Sequence, residues 1–145
     1  MIRVVLDTNI IVSALLQSLG PPAQVFVLAL GGSLRLCVSG AIYAEYEEVI
    51  SRPRFRRTPE VISSALRAIR ESGVWVRPTE TVRVCSDPDD DILLECAQAA
   101  RADYLVTGNL KHFPASWKGT RIVTARQLLD LIAVAAQEGP ESTNT

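Results

Sequence analysis

The sequence predicts a parallel α/β fold in a single domain, and three observations lead there. The run IRVVL at 2–6 is β-branched and aliphatic apart from Arg3, as expected of a strand covered by helices on both faces. Further short apolar runs alternate with stretches of helical periodicity, which implies right-handed crossovers and a parallel sheet. The chain has 145 residues, 48% hydrophobic and 21% charged. That length supports a core without metal or disulfide, and that composition excludes wholesale disorder and fibrous repeats.

Each element follows from local signals. After the first strand, IIVSALLQ reads as a helix ended near Gly20-Pro21-Pro22, and AQVFVLAL as a second helix stopped at Gly31-Gly32. LRLCV at 34–38 is the second strand. Ser39 is a natural cap for AIYAEYEEVIS, in which Ile42, Glu45, Tyr46 and Val49 recur at helical spacing. SRPRFRRTP at 51–59 is a basic, proline-bounded linker before the helix VISSALRAIRES, which ends at Gly73. VWV at 74–76 is a short strand, and TVRV at 81–84 is either a strand or an extended lead-in to the aspartates that follow. A helix over 89–101, the strand YLVT at 104–107, the loop GNLKHFPASWKG, the strand RIV and a helix from Ala125 to about Gln137 complete the domain, taken as residues 1–137. Residues 138–145, EGPESTNT, read as a disordered tail.

Bulk properties exclude several functions. A formal charge of −1 gives no overall attraction to nucleic acid, so such binding needs a local patch. The three cysteines, Cys37, Cys85 and Cys96, are odd in number and sit among apolar neighbours, which implies free thiols in a reducing compartment. The N-terminal apolar run is broken by Asp7 and is too short for a signal peptide or a membrane span, so no membrane is expected and the expected location is the cytoplasm.

Chemistry in an open parallel sheet collects beyond the carboxyl ends of the strands. That edge selects Asp7 after the first strand, Glu45 about two helical turns after the second, the cluster DPDDD at 87–91 and Asn109 after YLVT. Asp87 caps the cluster's helix and Pro88 takes its first position. Asp90 precedes Leu93, Leu94 and Ala97 by three, four and seven residues, so it faces the core; Asp91 lies at the margin of that stripe and Asp89 faces water. No lysine or arginine adjoins Asp7, Glu45 or Asp90 in sequence. Carboxylates turned inward without a basic partner call for a hard divalent cation, Mg²⁺ or Mn²⁺, and for phosphoryl chemistry.

Taken in order, LDTNIIVSA, the Ser39 to Glu45 spacing, DPDDDILLECA and YLVTGN resemble the PIN domain family, and more narrowly the toxin components of bacterial toxin–antitoxin pairs. The resemblance runs from residue 2 to about 132. It implies a three-layer α/β/α sandwich around a mostly parallel five-stranded sheet, and a Mg²⁺- or Mn²⁺-dependent endoribonuclease that cleaves RNA as the toxin of a type II pair. Asp7, Glu45 and Asp90 match the family's catalytic and metal-holding acids, with Asp91 and Asn109 as further candidate ligands. Glu45 is either a ligand or the base that orients the attacking water. Thr8, Asn9 and Thr107 match the polar residues that support the first acid. Asn109 stands where the family commonly has aspartate; its carbonyl still offers an oxygen but no charge. A cognate antitoxin and a homodimer are the implied protein partners.

Arg52, Arg54, Arg56 and Arg57 are candidates to grip RNA phosphates, against the plainer reading of a solvated loop. His112 is weighed as a phosphate contact against a loop side chain packing beside Phe113. A haloacid dehalogenase-like phosphatase needs an acid two residues after Asp7, where Asn9 stands. The remaining alternative is a PIN-like RNA-binding protein whose cleavage is weak or lost through Asn109.

Overall fold

The computed structural model describes residues 1–53 and 57–143, with side chains to residue 137. The elements run β1 (Arg3–Leu6), α1 (Thr8–Leu16), α2 (Pro21–Leu30), β2 (Arg35–Val38), α3 (Gly40–Ile50), α4 (Pro59–Ser72), β3 (Val74–Trp75), α5 (Pro88–Ala100), β4 (Tyr104–Val106), a 3-10 turn (Leu110–His112), β5 (Ser116–Trp117), β6 (Thr120–Val123) and α6 (Ala125–Thr143). The last helix thus continues past the end expected at Gln137.

The described strands form one sheet in the order β3-β2-β1-β4-β6-β5. All neighbours are parallel except β5 against β6. Val4 of β1 sits opposite Leu36 of β2 and Tyr104 of β4. Helix α5 lies across β1, β2 and β4, while α2 packs against β2, α4 and α6, so helices flank the sheet. This is the expected α/β sandwich with one strand more than expected.

The extra strand is β5, inside the stretch read from sequence as a loop. Lys118 and Gly119 both take positive φ, 50° and 88°, and close a two-residue hairpin in which Trp117 pairs with Thr120. The segment at 81–84 stays out of the sheet. Its Val82 and Val84 N–H groups donate instead to the carboxylates of Glu95 and Asp91 on α5, at 3.0 and 3.1 Å, so it is the lead-in and not a strand.

The core forms where the central strands meet α3 and α5. Val4, Val5, Leu6, Leu36, Leu105 and Val106 are buried, and Leu93, Leu94 and Ala97 of α5 close over them. Ile42, Tyr46 and Ile50 line one face of α3 at the spacing that buries a helix stripe. Cys37 and Cys96 are buried, Cys85 is half-buried, and all three are free. β1 is followed by a connection to one side of the sheet, while β4 is reached from β3 by a connection to the other. The crevice beyond the ends of β1 and β4 is therefore the switch point of the topology.

Candidate active site

Asp7 is the first residue beyond β1, and its backbone N–H donates to Val106 of β4 at 2.9 Å. That bond carries the sheet ladder one residue further and fixes where the side chain leaves the strand. Asp7 is buried, 8% exposed, and α1 begins at the next residue. Thr107, wholly buried, stands in the equivalent place after β4. Its hydroxyl donates to Asp7 Oδ2 at 2.8 Å and accepts the Asn109 N–H at 3.0 Å. Asn9 joins the same group: Nδ2 donates to Asp7 Oδ2 at 3.3 Å, and Oδ1 accepts the Gly108 N–H at 3.1 Å. Asp7, Asn9, Thr107 and the loop after β4 are thus one hydrogen-bonded unit across the crevice.

Glu45 is brought in by α3. Ser39 caps that helix by accepting from the Ile42 N–H at 3.3 Å, and the following turns carry Glu45 to the edge while Tyr46 enters the core. The Tyr46 hydroxyl donates to the Leu6 carbonyl, tying α3 to the last residue of β1. The Thr8 hydroxyl donates to Glu45 Oε2. Thr8 therefore links the second acid to the residue beside the first, and Asp7 takes the cap position of α1.

The aspartate cluster divides in a way that periodicity alone does not resolve. Asp87 caps α5, its Oδ1 accepting the Asp89 N–H at 2.9 Å. Asp90 approaches the acidic edge. Asp91 is buried, but its Oδ1 accepts the N–H groups of Cys85 and Val84, at 2.8 and 3.1 Å. The geometry thus places Asp91 with the 81–85 segment, where it anchors the approach to α5. Asp89 is exposed, yet its charge reaches Glu45 and places it at the rim of the acids.

The electrostatics are those of crowded, partly dehydrated carboxylates. Burial raises the pKa of Asp7, opposed by the Thr107 hydroxyl and the backbone at Asn9 and Thr8. Burial also raises Glu45, opposed by Thr8 and reinforced by the charges of Asp89, Asp7 and Asp87. Asp90 is pushed up to about 6 by burial and then by Asp7 and Asp87. For Asp91, burial works upward, but the Cys85 and Val84 amides outweigh it and hold the carboxyl below its ordinary range. Burial, the Asp91 hydrogen bond and nearby charges push the Cys85 thiol up to about 12, so it is not a thiolate at neutral pH.

Among the described residues, no group of three or more His, Cys, Asp or Glu side chains stands ready to hold a metal ion. Asn109 is exposed, and its backbone N–H, bound to Thr107, is what ties it to the unit. His112 does reach the acids: its Nδ1 is 3.5 Å from Asp90 Oδ2. Of the arginines considered for RNA, Arg52 pairs with Glu48 at 2.7 Å and Arg57 donates to the Leu16 carbonyl at 3.1 Å. Arg54 and Arg56 lie outside the described residues.

Fold and edge together define an α/β domain with hydrogen-bonded acids at the switch point of a parallel sheet. The sequence model of the PIN domain matches residues 3–111, and the chain belongs to the PIN domain family, a family of nucleases. An uncharacterized protein of Methanocaldococcus jannaschii is 28% identical over 111 residues, covering 74% of this chain and 71% of that protein. VapBC2 of Rickettsia felis, solved bound to a DNA fragment from its promoter, is similar in structure with a TM-score of 0.53. That likeness has 18% identity, covers 76% of this chain and 90% of that one, and concerns the fold. Among the described residues no single helix is long and apolar enough to cross a membrane.

Proposed function

We propose that the protein is a Mg²⁺- or Mn²⁺-dependent endoribonuclease acting as the toxin of a type II toxin–antitoxin pair. The observation that carries the catalytic reading is the Asp7 edge. A buried carboxylate fixed by Thr107 at 2.8 Å lies within electrostatic reach of Asp90 and Glu45, with no lysine or arginine paired to any of the three among the described residues.

The donor chemistry fits a hard cation that keeps most of its waters, since Mg²⁺ is commonly held through one or two carboxylates. Asp7 and Asp90 would hold it, and Glu45 would be a further ligand or the base that orients water. When bound, the ion supplies an activated water and offsets charge on the phosphate oxygens. Thr107 and Asn9 keep Asp7 Oδ2 oriented. Thr8 holds Glu45 beside it.

The toxin reading draws on the family and on the VapBC2 fold likeness, and brings with it an antitoxin over the acidic edge, a homodimer and a cytoplasmic location. The alternative of RNA binding with weak or lost cleavage is favoured by one observation, that no three acids are assembled for a metal among the described residues. Purified protein on mixed RNA with Mn²⁺, Mg²⁺ or EDTA separates the two. Cleavage with either ion, none with EDTA and none by Asp90→Ala is the expected pattern. Binding without cleavage, with a large gain in Asn109→Asp, would favour the alternative.

A further inference from the structure

The segment after β4 reaches two of the three acids of the edge, Asp7 and Asp90. At its start Thr107 donates to Asp7, and five residues on, His112 approaches Asp90 with Nδ1 at 3.5 Å from Oδ2. The path between them is fixed. Asn109 N–H donates to Thr107, His112 N–H closes the turn on the Asn109 carbonyl at 3.0 Å, and Phe113 is buried directly afterwards, 9% exposed. The imidazole is not there to fill the core, for its side chain is 57% exposed while that of Asp90 is 15% exposed.

We infer that His112 is a positioning residue, whose imidazole, held by the 107–112 segment with Nδ1 3.5 Å from Asp90 Oδ2, limits the rotation of that carboxylate through a polar contact. A carboxylate ligand free to rotate presents either oxygen or neither. Partners that orient a ligand from outside typically change metal affinity about 10- to 100-fold when removed. Among the described residues, His112 is the one basic side chain in ion-pair range of these acids. The inference rests on the cation site of the proposed nuclease, and adds a residue that the sequence weighed as a phosphate contact or a loop side chain packing beside Phe113.

The test is Mn²⁺ affinity, by calorimetry or electron paramagnetic resonance, for the native chain, His112→Leu and His112→Asn at one fixed neutral pH. Asparagine places an amide N–H near the position of Nδ1, and leucine keeps bulk without a donor. Weakening of about tenfold or more is expected in His112→Leu, with His112→Asn within about threefold of native. Native-like affinity in His112→Leu, or equal losses in both variants, would overturn the positioning role while leaving the nuclease reading standing. No Mn²⁺ binding by the native chain would overturn both.

Discussion

Replacing Asp90 by asparagine should stabilise the metal-free protein at neutral and higher pH. The Asp90 carboxyl is pushed up to about 6 by burial and by the charges of Asp7 and Asp87, and its side chain is only 15% exposed. A raised carboxylate binds its proton more tightly in the folded chain, so folding stability is full below about pH 4 and falls as pH rises through about 6. At about 1.4 kcal/mol per pKa unit, a rise of about two units costs on the order of 3 kcal/mol once Asp90 is ionised. The asparagine side chain carries no charge and escapes that cost. At about 2–4 °C per kcal/mol for a chain of this size, Asp90→Asn should unfold roughly 6–12 °C above native at pH 8 in EDTA. The gap should close toward pH 4, where the native carboxyl is protonated. Millimolar Mn²⁺ should raise the native Tm and raise that of Asp90→Asn much less, because only an ion bound to the folded state stabilises it. Circular dichroism melts at pH 4 and pH 8, with EDTA or Mn²⁺, measure all of this. A variant melting at or below native at pH 8 in EDTA would refute the claim that Asp90 sits in a repulsive acidic edge.

Two other substitutions separate holding the fold from holding the edge. Thr107→Val removes both the donor to Asp7 and the acceptor for the Asn109 N–H, and should cost about 1–3 kcal/mol in urea unfolding. Thr107→Ser should recover most of it, and a valine variant as stable as native would show the bond to be dispensable. Asp91→Ala strands the Val84 and Cys85 N–H groups and should destabilise by about 2 kcal/mol with Mn²⁺ affinity unchanged. A loss of affinity matching that of Asp90→Ala would show that Asp91 reaches the ion.

How much of this was legible follows from how local each signal is. Strand β1 was visible as an aliphatic run, and the starts of α3 and α5 were visible because Ser39 and Asp87 are caps whose partners lie two or three residues on. Topology placed Asp7 and the residues beyond YLVT at one edge, because both follow central parallel strands, but it selected Asn109; Thr107, which bonds Asp7 from 100 residues away, was indicated only by the family resemblance. Other features depend on contacts that no local pattern encodes. Strand β5 is two residues long and exists through its pairing with β6, behind a turn that places Lys118 at positive φ. Helical spacing left Asp91 at the margin of an apolar stripe. Its role is set by a loop that precedes the helix and folds back onto it, which also keeps 81–84 out of the sheet. The approach of His112 to Asp90 depends on the 3-10 turn between them and the burial of Phe113.

The central claim, that Asp7 and its neighbours form a cation-dependent cleavage site, is tested most directly by Asp7→Asn on a labelled RNA at enzyme excess with saturating Mn²⁺. Asparagine keeps the shape of the side chain and an oxygen for the Thr107 hydroxyl, so melting and circular dichroism should remain those of a folded protein. The expected result is cleavage by the native chain and at least about a hundredfold slower cleavage by the folded variant, in the range lost when electrostatic stabilisation of a transition state is removed. Equal, metal-dependent cleavage by native and Asp7→Asn protein would contradict it.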